Sequence, residues 1–302
     1  MTEQYCSLFA NPVKTVSIVN VWNHNLEEQF AEIKKIIDHY PIIAMDTEFP
    51  GVPFKPHAFQ SLKNPQEQMY RMVACNVNRL KVIQIGFAFM NEQGQLPSNR
   101  VWQFNFHFDL DTDSYAKASI DLLKSCNIDF ELHKKQGIRM CDFGSLLTSS
   151  GLVCEERWTW ITYHSAYDFS YVIRTMILRN LPMHESEFLQ LVKDVFPRTF
   201  DVKLLADSCD FDNRIKEAKQ GGGLQNLSFM LGVPRYGTQH QAGSDALLTG
   251  QTFLALKHCC LQTDEGRNNW IELEEQCVNN VYGLSELSTS QASEEESPPV
   301  FL

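Results

Sequence analysis

Two carboxylates follow an apolar run in the segment "AMDTEFPG", which places Asp46 and Glu48 one residue apart. Alternation along a strand puts residues i and i+2 on the same face, so both side chains can reach one point in space. Two further acids stand where apolar segments meet helices: Asp168 in "ITYHSAYDFSYVI", and Asp245 in "HQAGSDALLTG", five residues after His240. Each alone is typical of a helix cap or a turn, but the ordered combination indicates a shared site.

The chemistry of such a set is that of a site for two metal ions. Four carboxylates that converge without cations repel one another and are costly to keep ionised in a cleft. Hard oxygen ligands suit Mg²⁺ or Mn²⁺, whereas clustered thiols and imidazoles would favour zinc. Two divalent ions about 4 Å apart can activate a water and stabilise the leaving oxygen in an in-line attack on phosphorus. His240 supplies an imidazole that can take the proton from that water.

The elements that must position these residues can be read from hydrophobic periodicity. The segment 25–40 has helical spacing, and Asn25 with Glu28 resembles a capping box. The run "IIAMD" then predicts a buried strand that delivers Asp46. Residues 49–79 contain four prolines and are interpreted as one long connection, a length typical of a loop with a task such as lining a site.

The rest of the chain alternates between strands and helices. Strands over 80–90 and 100–108, joined by a polar turn, indicate an antiparallel meander with the first strand. The pattern then predicts a further strand over 159–164, a short segment "TFDVKLL", and helices over 114–125, 168–179, 185–195, 224–231, 243–260 and 268–281. This order predicts an α/β fold with a mixed central sheet flanked by helices.

Composition limits the classes of protein to which this chain can belong. The 302 residues are 43% hydrophobic and 21% charged, which is typical of a globular protein with a sizeable core. A formal net charge of −11 argues against a protein that coats nucleic acid with a broad basic face, but not against an enzyme that takes in a few nucleotides. The nine cysteines form no C-x-x-C pair, so neither a zinc ribbon nor a disulfide framework is expected.

The location of the protein in the cell and the limits of its folded domain are also predicted from the sequence. No secretory signal is recognised at the start, and no apolar run approaches the roughly 20 residues that span a bilayer. We therefore expect no membrane partner and a location in the cytoplasm and nucleus. Residues 1–283 are interpreted as a single domain, and the Ser- and Glu-rich segment 284–302 as a disordered tail.

The ordered acids and their flanking motifs resemble a known family. "AMDTEFPG", "WITYHSAYDFSYVI", "GGLQNLSFMLGV" and "HQAGSDALLTGQTF" are similar to segments of the Caf/Pop-type catalytic subunit of the Ccr–Not deadenylase complex. That family belongs to the histidine-bearing subgroup of the DEDD exonuclease superfamily. The resemblance extends over residues 19–258 and implies a ribonuclease-H-like fold.

The resemblance also implies an activity. It is removal of poly(A) from messenger RNA in the 3′-to-5′ direction, releasing 5′-AMP. Asp46 would bridge two divalent ions, Mg²⁺ or alternatively Mn²⁺. Glu48 and Asp245 would hold the ion that activates water, Asp168 the ion at the leaving group, and His240 would be the general base. The implied partners are single-stranded poly(A) RNA, the scaffold subunit of the Ccr–Not complex and a second, Ccr-type deadenylase.

Contacts to RNA and two alternative functions stay open from the sequence. Phe49 could stack on a base or belong to the core, while Lys203 and Arg71 are candidate phosphate contacts. The chain could instead be an adaptor that bridges a scaffold to another nuclease and has little activity of its own. It could also be a DEDD exonuclease that trims other RNA or DNA.

Overall fold

The computed structural model describes residues 15–57, 62–209, 215, 223–261 and 264–284. Its strands, in chain order, are β1 (Ser17–Val21), β2 (Ile42–Glu48), β3 (Gln84–Met90), β4 (Arg100–Asn105), β5 (Thr159–Thr162) and β6 (Thr199–Asp201). They form one sheet in the order β1–β4–β3–β2–β5–β6. The pairs β2–β3 and β3–β4 are antiparallel, which confirms the predicted meander, whereas β1–β4, β2–β5 and β5–β6 are parallel. The predicted mixed α/β sheet is confirmed.

The helices cover both faces of this sheet. They are α1 (Leu26–Ile36), α2 (Pro65–Val77), α3 (Lys117–Ser125), α4 (Phe130–Gln136), α5 (Met140–Thr148), α6 (Ala166–Ile177), α7 (Glu185–Val195), α8 (Val202–Ser208), α9 (Gly223–Met230), α10 (Ala242–Cys260) and α11 (Asp264–Cys277), with 3-10 turns at Ile37–His39 and Pro97–Asn99. Among the described residues, no helix combines the length and apolar character needed to cross a membrane.

Strand β2 divides the core into two layers by simple alternation. Ile43 and Met45 are buried among side chains of α1, α2, α5, α6 and α7, whereas Ile42 and Ala44 are buried among side chains of α8 to α11. Each buried aliphatic side chain contributes about 1.5–3 kcal/mol relative to an exposed one. Because the two layers anchor both faces of β2, the register of the residues that end this strand is fixed.

Helix α10 packs against the face of the sheet that carries Ile42 and Ala44. It approaches the sheet so closely that only glycine fits at the contact. A Cβ added at Gly86 of β3 would lie 1.9 Å from the carbonyl oxygen of Ala242, the first residue of α10. A Cβ added at Gly250 of α10 would likewise lie 2.8 Å from the Cβ of Ala44. Glycine at these two positions therefore allows the helix to approach the strand that carries Asp46.

Two local predictions are wrong for identifiable reasons. The supposed connection 49–79 contains helix α2, in which Pro65 occupies the first turn and the Asn64 side chain accepts from the backbone N–H groups of Gln66 and Glu67. The capping box at Asn25 does not form, because its Oδ1 accepts from the N–H of Trp22 at 2.7 Å instead.

Other differences concern elements that the periodicity did not reveal and the end of the domain. Strand β1 and helices α4 and α5 were not predicted. Leu284, the first residue of the predicted tail, is buried against the first core layer, so the folded part extends at least to that residue. Residues 285–302 lie outside the described residues, so the disordered tail stays a prediction.

Candidate active site

Asp46 and Glu48 occupy the end of β2 on the face that α10 covers. They continue the alternation of Ile42 and Ala44, so the predicted shared orientation of the two carboxylates is confirmed. Strand β5 runs parallel to β2, with Ala44 opposite Ile161, and both strands end at the same edge of the sheet. The helix that follows β5 therefore begins close to the two acids.

That helix is α6, and Asp168 lies in its first turn, as predicted. The turn that leads into α6 is fixed by the buried carboxylate of Asp201, which accepts from the N–H groups of His164 and Ser165 and from the Ser165 hydroxyl. Asp168 itself accepts a 2.6 Å hydrogen bond from the hydroxyl of Thr47, the residue between the two β2 acids. This bond ties α6 to the end of β2.

Asp245 lies in the first turn of α10, and the sheet itself holds that helix end. The first N–H groups of a helix have no partner within the helix. Here the N–H of Ala242 donates to Gln84 Oε1 at 3.2 Å and the N–H of Gly243 donates to Gln103 Oε1 at 3.0 Å. Side chains of β3 and β4 therefore set the position of Asp245.

His240 precedes the helix in a left-handed backbone conformation, with φ of 59°. Its N–H donates to Asp245 Oδ2 at 2.8 Å. One ring nitrogen of His240 and one carboxylate oxygen each from Glu48 and Asp245 lie within 4.8 Å of one another. The structure thus brings together residues that are almost 200 positions apart in the chain.

Arg235 is a cation that the sequence analysis did not identify. Its Nη1 donates to Asp245 Oδ1 at 2.6 Å and to Ser244 Oγ at 3.1 Å, and its Nε pairs with Gln225 Oε1 of α9. The Arg235 and Asp245 side chains are only 15% and 10% exposed, which makes this a largely buried ion pair. Arg235 therefore connects α9 to the acids.

We call the four carboxylates Asp46, Glu48, Asp168 and Asp245 the acid cluster. The pKa values of Asp46, Glu48 and Asp168 are raised in the folded chain. Burial, followed by the neighbouring carboxylates, raises the pKa values of Asp46 and Glu48 well above their ordinary range, and Arg235 only partly opposes this. Burial also raises the pKa of Asp168 to about 7, although the Thr47 hydrogen bond acts in the opposite direction.

These groups fit divalent cations. The donors are hard carboxylate oxygens with one imidazole, the set that Mg²⁺ and Mn²⁺ accept. Bound cations would offset both the burial and the mutual repulsion that raise the pKa values of Asp46 and Glu48. Asp46, Glu48, Asp168 and Asp245 are the residues that would hold the ions.

A cleft of about 700 Å³ opens over the cluster. One side is formed by three of the acids (Asp46, Glu48 and Asp245) with His240 and Arg235, and another by α9. We call the α9 side chains Gln225, Asn226 and Phe229, which line this cleft, the α9 wall. The arrangement suits a polymer end that must place a phosphate near carboxylates and its bases along an adjacent surface.

Comparison with known proteins agrees with this geometry. The profile of the CAF1 family ribonucleases matches residues 21–143 and 150–253, which include all five predicted residues of the acid and histidine set. The chain belongs to the CAF1 ribonuclease family. It is 41% identical over 280 residues to the CCR4-NOT transcription complex subunit 7 of Caenorhabditis elegans, covering 92% of this chain and 87% of that relative.

Two solved structures of this family show the same fold. The S. pombe Pop2p structure in its Mg²⁺- and Mn²⁺-bound form is 39% identical, with a TM-score of 0.79, and the match covers 88% of this chain and 99% of Pop2p. A chain in the structure of the yeast NOT1 MIF4G domain co-crystallised with CAF1 is 28% identical, with a TM-score of 0.71 and coverage of 90% and 98%. The predicted ribonuclease-H-like fold is thus confirmed, since the chain has the fold of these CAF1-family structures.

None of the three predicted RNA contacts is among the residues that line the cleft in this CAF1-family chain. Phe49 stacks on Tyr167 with ring centroids 4.8 Å apart and packs against the first core layer. Arg71 of α2 pairs with Glu67 at 2.6 Å, and Lys203 of α8 pairs with Asp207 at 3.1 Å. Their contacts with RNA stay predictions that this geometry does not support.

Some of the missed residues left a signal in the sequence. Strand alternation places Phe49 opposite in phase to Asp46 and Glu48, so it could have been assigned to the other layer. Thr47 could have been noticed between the two acids of β2. Arg235 and the α9 wall left no such signal, since their proximity to the acids depends on how α9 packs beside α10.

Proposed function

We propose that this CAF1-family chain is a 3′-to-5′ exoribonuclease that removes poly(A) tails from messenger RNA and releases 5′-AMP. The observation that carries the proposal is the convergence of four carboxylates, three of which line one cleft together with His240, in a chain of a ribonuclease family.

Two divalent ions, Mg²⁺ or Mn²⁺, are the proposed cofactors, as in the S. pombe Pop2p structure that contains both. When bound, such ions lower the pKa of a water and neutralise negative charge on the leaving oxygen. Asp46 interacts with each of the other three acids and would contact both ions. Glu48 and Asp245 would hold the ion next to His240, whose ring nitrogen would accept the proton, and Asp168 the ion on the other side.

We further propose that the protein works as a subunit of the Ccr–Not complex. The C. elegans relative carries the name of a subunit of that complex, and yeast CAF1 was co-crystallised with a domain of NOT1. Contact with a Ccr-type deadenylase and a location in cytoplasm and nucleus stay predictions.

The test uses 5′-labelled RNA with and without an A-tail, incubated with the full chain in Mg²⁺ or Mn²⁺. We expect the wild type to shorten the tail stepwise and release 5′-AMP, and Asp46→Ala to lose activity by roughly 10³-fold or more, since the metal contribution is worth several kcal/mol. Asp121→Asn, at an exposed ion pair of α3, is the matched control and should retain activity.

The outcomes separate the alternatives. A wild type that leaves the tail intact in both metals overturns the activity and leaves the adaptor function. Equal shortening by Asp46→Ala overturns the site but not the activity. Trimming of a non-A end or of DNA at the same rate supports the broader exonuclease.

A further inference from the structure

Helix α9 presents two chemically different faces. Leu227 is buried in the second core layer, and the next residue, Ser228, is also fully buried. Gln225, Asn226 and Phe229 line the cleft, and because residues three and four apart are neighbours on a helix, Phe229 lies beside both amides. The helix therefore carries an aromatic ring and two carboxamides toward the space above the acids.

Phe229 is 72% exposed, the largest exposed fraction among the large hydrophobic side chains of the described residues. Single exposed apolar side chains are ordinary, and Leu62, Leu178, Met183 and Ile271 are further examples here. Of these five side chains, Phe229 alone lines the cleft above the acid cluster. Its position, rather than its exposure, is what requires an explanation.

We propose that Phe229 is the base-stacking residue of this cleft, an inference that rests on the proposed ribonuclease function. Every base has a π-face, so aromatic side chains bind single strands by stacking. A purine has a larger ring face than a pyrimidine, and adjacent carboxamides can donate to and accept from adenine. The α9 wall thus suits a purine near the 3′ end.

The position of the ring relative to the acids is also fixed by the structure. Gln225 and Arg235 form a hydrogen bond, and Arg235 in turn contacts Asp245. This chain of contacts links the stacking surface to the acid cluster through one side chain. A base held on Phe229 would therefore be held at a set distance from the carboxylates.

The experiment measures binding of fluorescent oligoriboadenylate in Mg²⁺, with phosphorothioates at the last linkages to slow hydrolysis. Phe229→Ala should weaken binding by about 5-fold to 100-fold, the range that corresponds to loss of one base–aromatic stack. Phe229→Trp should bind at least as well as the wild type, and in Phe229→Ala the rise in KM for ordinary RNA should exceed the fall in kcat. Met183→Ala, which removes another exposed apolar side chain, is the matched control.

Abasic substitutions identify stacking as the cause. We expect the difference between wild type and Phe229→Ala to disappear when one particular nucleotide among the last three is abasic. A difference that persists for all three abasic RNAs, or a Phe229→Leu variant that binds as well as wild type, overturns stacking. Thermal unfolding of each variant confirms that it is folded.

The two proposals fail in distinguishable ways. A wild type that neither binds nor shortens RNA overturns the proposed function together with this inference. A wild type that shortens RNA while Phe229→Ala binds and cleaves equally well overturns the base-stacking role alone.

Discussion

The acid cluster and the α9 wall belong to one cleft but are built in opposite ways. The carboxylates come from the end of a central strand and the first turns of two core helices, and Asp168 and Asp245 are only 6% and 7% exposed. The α9 wall comes from a short helix whose cleft-facing Phe229 is largely in water. The difference separates residues that must be held by the fold from residues that must remain accessible to a substrate.

The contrast extends to stability. Buried like charges oppose folding, whereas an exposed ring makes few contacts within the protein. We therefore expect substitutions of Asp46, Glu48 or Asp168 to remove activity and stabilise the metal-free chain, and substitution of Phe229 to change binding with little effect on stability.

The largest of the following effects concerns Asp168 in metal-free protein. Its pKa is about 7 in the folded chain against 3.8 ordinarily, so between these pH values the folded form keeps a proton that the unfolded form has released. Stability must then fall as pH rises from about 4 to about 7. Asp168→Asn, which can still accept from Thr47, should remove this loss, worth at most about 4 kcal/mol at 1.36 kcal/mol per pH unit.

The measurement is urea unfolding in EDTA across that pH range, with Asp201→Asn as control. Asp201 is also buried and its charge helps to raise the pKa of Asp168, but it accepts hydrogen bonds from backbone and hydroxyl donors, so its replacement should destabilise the protein by about 1–3 kcal/mol. A stability difference between Asp168→Asn and wild type that stays constant with pH would contradict the account.

A second prediction concerns the contact between the start of α10 and the sheet. In Gly86→Ala the new Cβ would clash with the backbone at Ala242 and Gly243, so the start of α10 must shift. We expect a loss of about 1–3 kcal/mol in stability, typical of overpacking, and a fall in kcat that exceeds any change in KM. Steady-state kinetics with thermal unfolding provide the check, and a variant with unchanged kcat and Tm would show that the acids do not depend on this contact.

The smallest expected effects are at Arg71 and Lys203, the two predicted phosphate contacts, each of which is in an ion pair. Arg71→Gln and Lys203→Gln should change KM for oligoadenylate less than about twofold and stability by at most about 1 kcal/mol, the usual worth of such pairs. Titration of RNA against each variant tests this. A tenfold loss of affinity would mean that the RNA path extends beyond the cleft and that the substituted residue contacts a phosphate.

The acids could be predicted from sequence because each is attached to a strong local pattern. Strand β2 begins as a continuous apolar run, α6 carries Asp168 in its first turn, and α10 begins two residues after His240. By contrast, β1 is a half-exposed edge strand whose pairing with β4 joins residues about 80 positions apart, so no local signal defines it. The α9 wall could not be predicted for the same reason, since Phe229 reads locally as one apolar residue among several.

The central claim is that the acid cluster holds two divalent ions. The direct measurement is isothermal titration calorimetry of Mn²⁺ into the metal-free chain, comparing wild type with Asp46→Asn. We predict two ions per wild-type chain and at most one, weakly bound, in the variant, because Asp46 would contact both. A wild type that binds fewer than two ions, or a variant with the same stoichiometry and affinity, would contradict it.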